Sequence, residues 1–464
     1  MLAGLSQNEV RERLAGPMPR VADMCALILG MGKSGQAIAD LLMREGARVI
    51  AYEGDAEKAD SLRARWETRG AHIIRREPQS LDGIDFAVVS PGLPQDHLAV
   101  ETVRQAGILI TGEMELASRF IQRPLLAVTG TNGKTTVTRM IAHILNHEDV
   151  PTSEGGNIGK PLAEIAAHDR RHTHDPIAVE VSSYQCETFE EFHPVVAAIT
   201  NLAPDHLDRY ASVEDYYQTK FRIAINQASN EAIWLGPGVE DHCPAWVPSR
   251  RKSFALNQVG SEGLFYHEGA LIHRDGTSEE RAAWPHMAAR EETMQLNALA
   301  AMGVVMSIGV PMRAAAEALE RFEALPHRLE FVADVRGIRC IDDSKATNIH
   351  AVAAALRSLP GPIRLIAGGI AKQEPLEPLT PLLQEKVVAA YLIGQDAQVF
   401  EEAWSPWIAV HREESLEAAV HHALEEGQPG DTLLLSPACA SWDMFTDYIE
   451  RGQCFQTAVR EAAS

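Results

Sequence analysis

No apolar run in this chain of 464 residues approaches the length of a membrane span. Six cysteines, at positions 25, 186, 243, 340, 439 and 454, form no Cys-x-x-Cys pair, and in a chain this long they make no disulfide scaffold. Reduced thiols are expected. Basic residues are in deficit: 42 Lys and Arg stand against 64 Asp and Glu, a formal net charge of -22. That sign disfavours a nucleic-acid or anionic-membrane partner, which needs a basic surface. The acids are spread along the chain and read as a solvated surface, not a tail. There is no solenoid repeat and no low-complexity tract. Glu9, Arg11, Glu12 and Arg13 stand where a signal peptide would need an apolar stretch, so a soluble cytoplasmic protein is expected. What is present is ordinary for a globular protein, 45% apolar and 23% charged residues, and too long for one core, so two or three domains are expected.

One run stands out. Leu125-Leu126-Ala127-Val128 leads into Thr129-Gly130-Thr131-Asn132-Gly133-Lys134-Thr135-Thr136, and a helical pattern from Val137 to Leu145 follows. Strand, glycine turn, Lys-Thr and helix is the arrangement that cradles nucleotide phosphates, with backbone N–H groups and the helix N-terminus around the oxygens. Lys134 would reach the terminal phosphates and the Thr135 hydroxyl would sit on Mg²⁺. The usual first glycine of such a loop is replaced by Val128, so the loop is shorter.

Upstream, Ala26-Leu27-Ile28-Leu29, the turn Gly30-Met31-Gly32-Lys33-Ser34-Gly35, a helix through Met43 and a strand Ala47–Tyr52 closed by Glu53 predict a βαβ unit. Phe86–Val89 runs into Ser90-Pro91-Gly92, another strand with a glycine turn, and Thr111-Gly112 suits a domain boundary. After the phosphate loop, strands are predicted at Ile177–Val181 and Val195–Thr200, a hairpin about Glu268-Gly269, and a helix over Thr293–Ile308. Strands at Ile338–Ile341, Ile363–Ala367, Ala390–Ile393, Trp407–Val410 and Thr432–Leu435, with a helix at Leu416–Leu424, predict a third α/β unit.

Several polar clusters could carry chemistry. Glu180 ends an apolar run downstream of the loop and suits a second Mg²⁺ anchor. Asp205-His206-Leu207-Asp208-Arg209-Tyr210 reads equally as a catalytic rim or as a capped loop. His168, His172 and His174 sit among charges and read as a solvated loop. Ser344, Thr347 and Asn348 are good caps, but Asp342, Asp343 and Lys345 in the same turn also suit ribose hydroxyls, a metal or a phosphate. Arg328 sits at the preceding boundary. Ser436-Pro437-Ala438-Cys439-Ala440-Ser441 follows the last strand and is expected to lead into a helix whose N–H groups suit an anion. Cys439 has nothing beside it to lower its pKa and reads as a buried filler.

Taken in order, these runs resemble the Mur ligase family over nearly all the chain after about residue 25. The short loop Gly130–Thr136, Asn157 in Gly155-Gly156-Asn157-Ile158-Gly159, Glu180-Val181-Ser182-Ser183-Tyr184-Gln185, Asp205–Tyr210, Asp343-Ser344-Lys345-Ala346-Thr347-Asn348 and Ser436–Ser441 all match. The last two point to the branch that adds glutamate. The resemblance implies an α/β fold of three domains: a Rossmann-like UDP-binding domain at 1–112, a P-loop ATPase-like domain at 113–324 and a Rossmann-like amino-acid-binding domain at 325–464. It implies ATP-dependent ligation of D-glutamate to UDP-N-acetylmuramoyl-L-alanine in peptidoglycan synthesis, through an acyl phosphate, by a cytoplasmic monomer.

It also implies roles. Gly130, Asn132, Gly133, Lys134, Thr135 and Thr136 would hold the ATP phosphates, with Asn297, Arg328 and Asp343 on the nucleotide and Lys345 on the phosphate or acyl phosphate. Thr135 and Glu180 would ligate one Mg²⁺. His206 and Lys220 would serve a second, with Lys220 carbamylated, because a carbamate is an anionic oxygen ligand where an ammonium would repel the cation. Gly32, Lys33, Ser34, Gly35, Glu53, Ser90, Pro91, Gly92 and Asn157 would hold the UDP substrate, and Thr347, Lys372, Ser441 and Tyr448 the glutamate. The chain departs from the family pattern at Thr293-Met294 (His-Asn in the family), at Ile370-Ala371-Lys372-Gln373, and at Tyr448, where Phe is expected. Rival readings are a ligase for L-glutamate or a folate-type acceptor, an NAD-dependent oxidoreductase, which leaves the Gly-Lys-Thr loop unexplained, and a non-catalytic nucleotide sensor, which leaves Glu180, His206 and Lys220 unexplained.

Overall fold

The structure, a computed structural model, describes residues 5–76, 80–168, 174–207, 209–288, 290–323, 326–371 and 375–463. Its chain forms two compact bodies. The first comprises Met1–Leu202, Tyr217–Arg290 and Met294–Arg321, and the second Ala203–Tyr216, Glu291–Thr293 and Phe322–Ser464.

The first body holds two sheets. Strands β1 (Cys25–Leu29), β2 (Arg48–Tyr52), β3 (His72–Ile74), β4 (Phe86–Val89) and β5 (Leu109–Gly112) are all parallel, in the order β3-β2-β1-β4-β5. The order reverses between β1 and β4, so their carboxyl ends open a crevice. Gly30 lines it because the Ser90 side chain leaves little room: a Cβ at Gly30 would lie 3.1 Å from that of Ser90, on a backbone already at φ +90°.

The second sheet runs through β6 (Leu125–Thr129), β7 (Ser153–Gly156), β8 (Ile177–Glu180), β9 (Val196–Ile199), β10 (Ala232–Leu235), β11 (Arg250–Leu256), β12 (Gly263–His267), β13 (Ala270–Asp275) and β14 (Ser278–Ala283). Its order is β14-β13-β12-β11-β10-β9-β6-β8-β7. The last three strands in sequence are antiparallel, and the predicted hairpin joins two of them through Glu268 and Gly269, both at positive φ. β6, β8 and β9 are buried at every position, which is why they read as unbroken apolar runs. The helix Lys33–Arg44 packs against Leu162–His168, so the apolar faces of the two sheets merge into one core.

The twenty-odd residues before β1 also belong to this body. Ser6 and Glu9 form a capping box on the helix Gln7–Leu14, Val10 and Leu14 enter the core, and Gln7 bonds Asp85 O and Leu109 N at 3.0 and 2.8 Å.

The second body holds β15 (Glu330–Val335), β16 (Ile338–Asp342), β17 (Ile363–Gly368), β18 (Val387–Ile393), β19 (Ala409–Arg412) and β20 (Thr432–Leu435) in the order β15-β16-β20-β17-β18-β19. Only the β15–β16 pair is antiparallel. Trp407, expected inside a strand, lies before β19 in the turn after the helix Ala397–Trp404 and is half exposed. Apolar pattern alone could not separate that turn from the strand start. Among the described residues no helix is long and apolar enough to cross a membrane.

One buried group sets a pH dependence. Glu113, at the start of the helix Glu113–Arg119, is pushed up to about 7 by burial; the Ala163 N–H, 3.3 Å from Oε1, opposes this only in part, and Oε2 has no partner. The folded protein keeps a proton that the unfolded chain releases near 4.5. Stability is therefore lost as pH rises from 4.5 towards 7, and the loss is complete above that. Glu113→Gln should raise the unfolding free energy at pH 8, by up to about 3 kcal/mol, and leave it unchanged at pH 4.5. An equal effect at both pH values would contradict the assignment.

Candidate active site

In the first body, the short glycine loop links β6 to the helix Lys134–His147, with Gly133 as its N-cap at φ +84°. A Cβ on Gly133 would stand 2.3 Å from Asn297 Oδ1, so the predicted Asn297 does lie over the loop. The loop is pinned from β9: Thr131 N and Asn132 N donate to Asn201 O and Oδ1, both at 3.0 Å, while Thr200 Oγ1 and Asn201 Nδ2 donate to Asn132 O at 2.5 and 3.0 Å. Nothing in the sequence marks Thr200 and Asn201 beyond their position just past a buried strand.

Lys134 Nζ folds onto the loop, donating to Gly130 O at 2.9 Å and Thr131 O at 2.7 Å. Thr135 Oγ1 donates to Glu180 Oε2 at 2.8 Å, and Asn157 Nδ2 to Glu180 Oε1 at 2.8 Å. Glu180 is buried, and Lys220, almost fully buried, places Nζ 3.1 Å from Gly130 O. Five predicted residues from four separate stretches of the sequence therefore meet at the carboxyl ends of β6 and β8. Hydroxyl, carboxylate and carbonyl oxygens are the hard donors Mg²⁺ takes, and a glycine turn opening a helix N-terminus beside a lysine suits phosphate oxygens, so the residues present fit both.

At the β1–β4 crevice, Glu53 is buried and already engaged: Oε2 accepts from Met31 N at 3.2 Å and pairs with Lys58 at 2.6 Å. Gly35 is demanded by packing, since a Cβ there would meet Gly30 O at 1.9 Å. Lys33 Nζ donates to Gly159 O at 2.6 Å and so ties the Gly32–Gly35 turn to the loop that carries Asn157.

In the second body, three loops meet at the carboxyl ends of the adjacent strands β16, β20 and β17. The Asp343 carboxyl accepts from Ser436 Oγ at 2.9 Å and Leu329 N at 3.3 Å; burial pushes it up to about 7 despite these bonds and the neighbouring Arg328. Asp342 is held by His327 Nδ1 at 2.7 Å and Gln456 Nε2 at 2.9 Å, and the hydrogen bond to Asp342 raises the His327 pKa. Lys345 Nζ sits 3.7 Å from the centre of the Tyr448 ring. Asn348 caps the helix Ile349–Ser358 as its sequence suggested, accepting from Ala351 N. Its Nδ2 lies 3.4 Å from Asp205 Oδ2, and Asp205 Oδ1 accepts from the His206 N–H at 2.8 Å with His206 at φ +55°.

One expectation fails here. Ser436–Ser441 does not lead directly into a helix, which starts only at Tyr448. Its N–H groups are spent within the body: Ala438 N on Ala346 O at 2.9 Å and Ala440 N on Ile370 O at 3.1 Å. The segment is a stitch between neighbouring loops, with Ala438 at φ +62°, and Ser441 and the filler Cys439 buried. Arg451, not singled out from the sequence, clamps the same loops from the helix Tyr448–Ala463: its guanidinium donates to Ser344 Oγ at 3.0 Å, Ser344 O at 2.9 Å and Cys439 O at 3.1 Å. Thr347 is partly buried on the Asp343 loop. Lys372, Asp208 and His172 lie outside the described residues.

Comparison with known proteins covers the same three regions. Residues 25–112 match the Mur ligase MurD-like N-terminal domain, 128–243 the Mur ligase middle domain, and 327–439 the Mur ligase glutamate ligase domain. The UDP-N-acetylmuramoylalanine--D-glutamate ligase of Trichlorobacter lovleyi is 37% identical, covering 93% of this chain and 98% of its own. That of Pelobacter propionicus is 38% identical over 94% and 99%. In fold, the chain is similar to MurF from Acinetobacter baumannii (TM-score 0.61, 16% identity, 100% and 99% covered) and to UDP-N-acetylmuramate-alanine ligase MurC from Thermotoga maritima (0.56, 19%, 95% and 100%). Full-length identity to curated relatives, together with three domain matches in order, shows that this chain belongs to the Mur ligase family.

Proposed function

We propose that the chain ligates D-glutamate to UDP-N-acetylmuramoyl-L-alanine while ATP is cleaved to ADP and phosphate, a step of peptidoglycan synthesis. The observation that carries this reading is the identity of 37–38% over more than nine-tenths of the chain to ligases named for that reaction. The geometry supports its chemistry. The Gly130–Thr136 loop receives the ATP phosphates, with Lys134 leaving the loop carbonyls to reach the transferred group. Thr135 and Glu180 would hold one Mg²⁺, and His206 and a carbamylated Lys220 would serve a second; bound there, the ions would supply positive charge to offset that of the phosphates.

The L-alanyl carboxylate attacks the γ-phosphorus, ADP leaves, and an acyl phosphate forms. The deprotonated glutamate amine then attacks the acyl carbon, and the tetrahedral adduct expels phosphate. Asn297, Arg328 and Asp343 take the nucleotide, and Lys345, poised on the Tyr448 ring, takes the acyl phosphate. Thr347, Lys372, Ser441 and Tyr448 receive glutamate. Gly32, Lys33, Ser34, Gly35, Glu53, Ser90, Pro91, Gly92 and Asn157 hold the UDP part; Glu53 does so through the turn whose N–H it already fixes. The domains divide near residues 112 and 324, and the enzyme works as a cytoplasmic monomer.

Phosphate release from ATP, measured with UDP-N-acetylmuramoyl-L-alanine and D-glutamate, L-glutamate or neither, tests the reading. D-glutamate should exceed the other two by at least about 100-fold. Equal rates with L-glutamate would overturn the stereochemical assignment, and no release in any mixture would overturn the reaction.

A further inference from the structure

We propose a further metal-binding site, apart from the two Mg²⁺ positions and suited to Zn²⁺ or a neighbouring first-row transition ion, formed by His411, His422 and Glu426 in the second body. His411 lies on β19, and His422 and Glu426 are one turn apart on the helix Leu416–Glu426, a spacing that puts both on one face. One ligand atom from each lies within 4.8 Å of the others. His422 Nε2 is 3.4 Å from Glu426 Oε1, and His411 Nε2 is 3.6 Å from Glu426 Oε2. Both separations exceed an ordinary N–H···O bond. They approach the ligand-to-ligand edge of about 3.3 Å that tetrahedral Zn–N and Zn–O bonds impose.

The surroundings are those of a metal site. Glu413, in position to accept, lies 2.6 Å from His422 Nδ1, which fixes the proton there and turns the Nε2 lone pair towards the cluster. Tyr391 OH donates to Glu426 at 2.7 Å and orients that carboxylate. The nearby Arg364 cation pairs most closely with Asp431 at 2.8 Å and reaches Glu426 Oε2 only at 3.5 Å, which leaves Glu426 Oε1 for an ion. All three ligand side chains keep about a third of their surface exposed, which leaves an ion a path in. Two imidazoles and a carboxylate select a borderline ion over Mg²⁺ or Ca²⁺.

The site is separate from the ligase centre. The helix ends at Glu426 just before β20 begins at Thr432, and Arg364 pairs with Leu433, whereas Asp343 and Ser436 sit at the carboxyl ends of the strands. A bound ion would staple edge strand β19 to that helix.

The test uses the full-length protein, stripped with chelator and dialysed, then titrated with Zn²⁺ against a chromophoric chelator. One equivalent should bind at this site, millimolar Mg²⁺ should leave it in place, and Co²⁺ should give the visible absorption of a four-coordinate site. His411→Ala and His422→Ala should each lose that equivalent, Glu413→Gln should weaken it about tenfold, and ligase turnover should persist in all three. His411→Gln and His422→Gln, with circular dichroism, repeat the result in milder variants. Unchanged zinc stoichiometry in the His411→Ala and His422→Ala variants, or displacement by Mg²⁺, would overturn the site.

Discussion

Lys134→Ala should cut ADP formation by about 10³-fold, the scale lost when one fixed charge is removed from a phosphoryl-transfer site. In the structure its ammonium spans two loop carbonyls, Gly130 O at 2.9 Å and Thr131 O at 2.7 Å, at the mouth of the glycine turn. Those contacts are weak enough to exchange for phosphate oxygens and close enough to aim the group before ATP arrives. Because the charge matters most as the phosphoryl group transfers, the loss should fall on kcat more than on KM. Lys134→Arg should not restore it, since a planar fork cannot replace a compact point charge inside a tight loop. A coupled ADP assay, with circular dichroism to confirm folding, decides the matter; turnover near the parent rate in the alanine variant would remove Lys134 from the reaction.

Arg451→Met should lower stability by about 3 kcal/mol, since it strips buried donors from Ser344 O, Ser344 Oγ and Cys439 O. The guanidinium is almost wholly buried, and burial pulls its pKa down to about 10, so the protein tolerates its desolvation to hold two loops together. Methionine fills similar volume without donors. Arg451→Lys should recover part of the loss, because an ammonium can reach one carbonyl where the fork reaches several. Activity should fall with stability, as Lys345 and Ser436 ride on the clamped loops. A free energy of unfolding in urea that changes by less than about 0.5 kcal/mol would show the clamp to be idle.

The two residues were unequally legible. Lys134 announces itself because strand, turn, lysine and helix are contiguous, and each element is specified by local pattern. Arg451 is an arginine in an ordinary amphipathic helix, and nothing nearby in sequence marks it. Its partners are Ser344, 107 residues away, and Cys439, 12 residues away. Thr200 and Asn201 are similar: each pins Asn132 from about 70 residues downstream. Ser436–Ser441 is recognisable as a motif, but its local structure is not. Small residues after a strand suit a helix start as well as a stitch, and the choice was made by bonds to Ala346 and Ile370.

By itself, then, the sequence determined the phosphate loop, the βαβ unit before it, the longer apolar strands and the family, but not strands such as β3, β7, β10, β11, β14 and β15. Strands buried on both faces must be apolar throughout, and a left-handed turn beneath Asn297 must be glycine; both demands are met by residues adjacent in the chain. The tertiary structure alone decided that Glu180 lies between Thr135 and Asn157, that Glu53 serves the Gly30 turn, and that Arg451 holds two loops. Each of these depends on hydrogen bonds between groups tens of residues apart. Their directions exist only after the sheets have brought the strand ends side by side.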